Sequence, residues 1–79
     1  MAAFSTTMDR LAEGQRGYVT GIGADCAMRT RLQDLGLVEG AAVRCVFRSP
    51  AGSPAAYEIR GAVIALRSGD ASEVQVVAG

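Results

Sequence analysis

The chain is 79 residues long, with 49% apolar residues, no His, no Trp and a formal net charge of zero from 8 basic and 8 acidic residues. That length makes one small domain, which buries only about 60–65% of the surface its unfolded chain exposes and so has a thin core. Lack of histidine removes the commonest general base, the usual catalytic triads and most zinc sites, and neutrality removes the strongly basic footprint of phosphate-binding proteins.

Met1-Ala-Ala-Phe-Ser-Thr-Thr7 has neither a basic n-region nor a long apolar run. Residues 1–7 are therefore expected to be a flexible N-terminal tail rather than a signal peptide, with the domain running from 8 to 79. Thr7 is placed to cap one helical turn, with Met8 and Leu11 facing inward and Gly14 closing it. Gln15 to Ile22 is rich in β-formers and reads as a strand, and Gly17 and Gly21 within it predict a bulge or sharp bend.

Asp25 to Leu37 is the one stretch with helical periodicity, through Met28, Leu32 and Leu35. Asp25 is a good N-cap, and Asp25 with Arg29 makes a favourable pair one turn apart. At the other end Gly36 fits the left-handed position that ends a helix, which places Leu37 against Leu32. Gly40 serves a turn. Ala41 to Arg48 alternates, with Val43, Cys45 and Phe47 on the inner face and Arg44, Val46 and Arg48 on the outer. Two prolines and a glycine in Ser49-Pro-Ala-Gly-Ser-Pro54 cannot sit in a central strand and predict a hairpin loop. Tyr57 and Ile59 then point in, Glu58 and Arg60 out, and Gly61 marks a tight connection. Ala62 to Arg67 is nearly all apolar, which predicts a strand covered on both faces or lying in a barrel wall. Residues 68–72 read as a turn, and Val74 and Val76 point inward from a last strand, with Glu73 and Gln75 outward.

About five short strands with one helix between the first and second make a mainly β chain. In so small a domain, two open edges invite association, so a bent sheet closing into a small SH3-like barrel is the expected solution. Cys26 and Cys45 are too few for a disulfide framework and have no Cys-x-x-Cys partner. Both read as small buried hydrophobes in a reduced, cytoplasmic protein. The carboxylates are scattered singly, and no glycine-rich phosphate loop is present. An enzyme is a poor reading, and no cofactor or metal site is expected.

The ordered series Met8-x-x-Leu11-x-x-Gly14, Gly17-Tyr-Val19-x-x-Ile22 and Arg31-Leu32-x-x-Leu35-Gly36-Leu37-x-x-Gly40-x-x-Val43 resembles the FeoA-like family. Pro50-x-Gly52-x-Pro54, Tyr57-x-Ile59-x-Gly61, residues 64–67, Ala71 and Val74-x-Val76 extend the resemblance to residue 77. Glu39 stands where the family often has Pro, Ser53 where it often has Asp, and Met8 where it usually has Leu. The resemblance implies an SH3-like barrel and a non-catalytic accessory role in bacterial ferrous iron uptake. The partner it implies is FeoB, a membrane ferrous iron permease with a cytosolic GTP-binding domain.

The same domain occurs at the C-terminus of iron-dependent repressors. Here, however, the chain starts with Met shortly before the domain and carries no helix-turn-helix, so a free-standing subunit is expected. A ferrous-metal carrier or sensor using Cys26, Cys45 and carboxylates is one alternative, and an RNA-binding SH3-like barrel is another. Partner contact is expected from the outward helix residues Arg29, Arg31 and Gln33 and the loop tip at Pro50, Gly52 and Pro54. Neither nucleic acid nor membrane insertion is expected. An uncovered sheet edge would permit a weak homodimer by strand addition.

Overall fold

Period-two alternation dominates the sequence, and the computed structural model is accordingly mainly β. The structure describes residues 3–23 and 27–78. The strands are β1 Phe4–Thr7, β2 Arg16–Ile22, β3 Ala42–Arg48, β4 Ala55–Ile59, β5 Ala62–Leu66 and β6 Val74–Ala78. A 3-10 turn spans Met8–Arg10, helix α1 spans Arg29–Asp34 and helix α2 spans Ser68–Ala71. All the strands form one antiparallel sheet in the order β1-β6-β2-β3-β4-β5. This is an SH3-like fold, but the sheet is not closed: β1 and β5 are its two edges.

Residues 4–7, expected as part of a flexible tail, are instead a sixth strand. Ser5, Thr6 and Thr7 lie opposite Val77, Val76 and Gln75, and Phe4 lies opposite Ala78. The sequence Phe-Ser-Thr-Thr has no apolar alternation to advertise a strand. It is recruited because β6, already paired with β2, has a second row of backbone groups to satisfy. The 3-10 turn follows as expected, with Met8 and Leu11 fully buried. Thr7 supplies no side-chain cap to the backbone; its hydroxyl donates to the Asp9 carboxylate.

The bulge signalled by the glycines of β2 is present: pairing with β6 shifts between Val19 and Gly21. A Cβ on Gly17 would lie 3.3 Å from the Val77 carbonyl oxygen, so a side chain there would push the β6 backbone away by a few tenths of an ångström. A second bulge was not foreseen. Cys45 pairs with Tyr57 but Phe47 pairs with Ala56, so Val46 is the extra residue on β3. That insertion turns Phe47 to the outer face, 56% exposed, against the expectation that it would share the inner face with Cys45.

Helix α1 is shorter than the periodicity predicted. It begins at Arg29, where Leu32 N–H bonds the Met28 carbonyl at 2.8 Å. The expected Asp25 cap and Asp25–Arg29 pair, like Cys26, lie outside the described residues. The C-terminal ending is as expected. Gly36 has φ +105°, Leu37 N–H bonds the Leu32 carbonyl at 3.1 Å, and Gly36 N–H bonds that of Gln33 at 3.0 Å. These are the two bonds of a Schellman ending, and Leu32 and Leu37 are both buried beside it. Leu35 was expected on the inner stripe but is 39% exposed.

The β4–β5 connection is a two-residue turn with Arg60 at φ 53° and Gly61 at φ 82°, the type I′ geometry that suits strand twist. Strand β5 is not covered on both faces as its apolar run suggested. It is an edge strand with Val63 61% exposed. Residues 68–71, expected as turn, wind into α2, which buries Ala71. The core gathers Val19, Leu32, Leu37, Val43, Tyr57 and Ile59 with Val74 and Val76 between the sheet and the short helices.

Candidate partner-binding surface

Helix α1 presents its three expected contact residues unequally, because consecutive helical positions are about 100° apart. Arg29 is exposed and its guanidinium donates to the Ile22 carbonyl at 3.3 Å, tying the helix start to the end of β2. Gln33 is exposed one turn later. Arg31 points elsewhere and lines a surface groove of about 520 Å³. Met28, Arg31 and Leu35 form one wall of the groove, and residues 64–67 with Asp70 form the other. Met28 and Ile64 are half-buried against the core, so the groove has an apolar floor with Arg31, Arg67 and Asp70 at its rim.

The loop tip lies outside this lining. Pro50 and Pro54 are exposed and Gly52, at φ 86°, closes a turn onto the Ser49 carbonyl at 2.8 Å. The Ser53–Pro54 peptide is cis. Three contacts hold the loop. The Arg48 guanidinium donates to the Leu11 carbonyl at 2.7 Å and to that of Gly52 at 3.5 Å, while Ser53 Oγ accepts from Ser68 N–H at 2.9 Å. Glu13 accepts from Arg48 N–H at 2.8 Å. Arg48, read as an outward strand residue, is therefore a structural tie. The six expected residues thus fall in separate places: Arg31 in the groove, Arg29 and Gln33 elsewhere on α1, and the tip beside the start of α2. Leu35, Ile64 and Arg67 line the groove and were missed. Leu35 looked like core because its spacing from Leu32 is helical, and Ile64 sits in a run that resembled a covered strand.

On the outer face of the sheet, Arg16 pairs in register with Arg44 and Arg44 with Glu58. The Arg44–Glu58 ion pair is 3.0 Å long, and both side chains are about two-fifths exposed, so it contributes little stability. Cys45 is fully buried, and its thiol faces the Phe47 carbonyl at 3.9 Å. Tyr57 beside it is buried, and that burial raises its phenol above the ordinary 10.0, with the Cys45 side chain adding to the rise and Arg48 opposing it. Among the described residues, no three His, Cys, Asp or Glu are grouped to hold a metal ion, and no helix is long and apolar enough to cross a membrane.

An open antiparallel sheet of SH3-like type, with a solvent-facing apolar groove between helix α1 and the edge strand β5, defines a small β module. The chain belongs to the FeoA family, whose domain matches residues 6–78. FeoA from Chlorobium tepidum is 34% identical, covering 90% of this chain and 68% of that one, with a TM-score of 0.82. FeoA from Stenotrophomonas maltophilia, solved in complex with zinc and described as a procaryotic SH3 domain protein, is 31% identical. It covers 90% of this chain and 88% of that one, with a TM-score of 0.81. A manganese-dependent transcriptional repressor shares the fold alone, at 21% identity and a TM-score of 0.83, over 100% of this chain and 44% of its own. No curated protein is significantly similar to the chain in sequence.

Proposed function

We propose that this chain is a non-catalytic, cytosolic accessory protein of ferrous iron uptake that binds and modulates the cytosolic part of a FeoB-like membrane transporter. Membership of the FeoA family supports the transport assignment, as does the proposal of the relative from Stenotrophomonas maltophilia as a bacterial ferrous iron transport activating factor. The observation that carries direct contact is the groove between α1 and β5. Leu35 exposes apolar surface there, and half-buried Met28 and Ile64 continue it across the floor. Arg31 and Arg67 at its rim give a docking segment a directional polar contact, in the manner of an apolar pocket with a charged edge.

A carrier or sensor built on the cysteines is the weaker reading, because Cys45 is sealed in the core, paired across the sheet with Tyr57 and away from any carboxylate cluster among the described residues. The direct test is titration of the isotopically labelled chain with the cytosolic part of the transporter, followed by amide NMR. The expected result is perturbation of α1 and residues 64–67. Silence at high micromolar partner, or shifts confined to the opposite edge at β1, would sink the reading.

A further inference from the structure

Strand β5 ends the sheet on one side, and its free edge carries none of the devices that usually guard such an edge. Its five residues, Ala62–Leu66, include no charge and no proline, and its pairing with β4 runs without a bulge. The other edge differs: β1 is mostly hydroxyl-bearing residues.

The ladder shows which backbone groups are free. Ile59 and Ala62 flank a two-residue turn, so they form a hydrogen-bonded pair, as do Tyr57 with Ile64 and Ala55 with Leu66. The N–H and C=O groups of Val63 and Ala65 therefore point away from β4. Both residues are exposed, and neither makes another backbone hydrogen bond among the described residues.

We infer that a second copy of this chain adds to this edge, β5 against β5, about a two-fold axis at Ile64. In that register Val63 of one copy lies opposite Ala65 of the other, and Ala62 opposite Leu66. The outward groups of Val63 and Ala65 are then the hydrogen-bonded pairs, and the two Ile64 residues form the close, non-hydrogen-bonded pair. The pairing is isologous and brings no like charges together. An uncharged strand has no charge pattern with which to choose a different partner, whereas its apolar residues match themselves about the centre. Ile64, half-buried on the inner face, would cover its counterpart at the floor of the groove. Five residues a side is far less than the roughly 800 Å² per partner of a stable interface, so the dimer is a transient one.

The inference shares Ile64 with the transporter reading but does not rest on it, because it is tested on the chain alone. Sedimentation should show a rise from monomer towards dimer between micromolar and millimolar concentration. Ala65→Pro removes an edge donor without touching the bonds to β4, and should stay folded by NMR yet remain monomeric. If that variant fails to fold, Val63→Lys, at a largely exposed position, carries the same expectation. Cysteine cross-linking in a Cys26→Ser background reads the register. Ile64→Cys should oxidise to a covalent dimer, since the close pair brings Cα atoms to about 4.5 Å, within disulfide reach. Val63→Cys, on a diagonal of about 7–8 Å, should cross-link several-fold less. A chain that stays monomeric at millimolar concentration, a dimer indifferent to both edge variants, or Val63→Cys cross-linking as well as Ile64→Cys would overturn the inference.

Discussion

Gly36 shows how much a single position decides. Its φ of +105° is left-handed, and a Cβ there would meet Arg60 Cδ at 3.0 Å and Ile59 Cγ2 at 3.3 Å. Gly36→Ala should therefore cost at least about 1–2 kcal/mol from backbone strain alone, lowering the urea midpoint without changing its slope. Tyr57 gives a pH signature. Its phenol is raised in the fold because burial disfavours the phenolate. A raised folded value means that the neutral side chain's contribution is complete below the unfolded value of 10.0 and is lost as pH climbs through the folded value. Denaturation curves should thus show stability level up to about pH 10 and falling above it, and Tyr57→Phe should flatten that alkaline fall.

At the scale of elements, α1 separates two leucines that share a helical stripe. Leu32 is fully buried, so Leu32→Ala should cost about 2–5 kcal/mol, whereas Leu35 is exposed on the groove and Leu35→Ala should change stability by only about 0.5 kcal/mol. If the groove is the contact surface, Leu35→Glu and Arg31→Glu should weaken transporter binding about tenfold or more with the fold intact, measured by calorimetric titration. Periodicity could not make this distinction. It reports which residues share a face, not where along that face the core ends, and α1 overhangs the sheet at Leu35. The same gap between local pattern and tertiary placement explains Phe47 and Val63. One extra residue at Val46 inverts the face of Phe47, and nothing in the sequence Arg44-Cys-Val-Phe-Arg48 marks it. An apolar run such as 62–66 is equally compatible with a covered strand and an edge, since topology alone assigns its neighbours. Turn chemistry is far more legible: Gly36 takes the left-handed φ expected of it, and Gly40 and Gly61, read as turn positions, have positive φ as well, because that requirement is local.

For the whole molecule, the ordered series of motifs carried both the SH3-like fold and the family, while strand order and the open edges emerge only from long-range pairing. Residues 4–7 join the sheet through β6, which lies some seventy positions away in sequence, and a short polar stretch gives no sign of that. The candidate site was legible in part: Arg31 reaches the groove, but the groove itself exists only where α1 and β5 meet across the fold. A formal net charge of zero gives little overall attraction to a phosphate backbone, so a generic oligonucleotide should produce no salt-dependent shift in the chain's spectrum at physiological ionic strength. The proposed contact with the transporter through α1 and β5 is tested most directly by titrating the cytosolic part of a FeoB-like transporter into the labelled chain and into its Arg31→Glu variant. Saturable perturbation of α1 and residues 64–67 in the natural chain, lost in the variant, is the expected result; no saturable change, or an equal change in both, would contradict it.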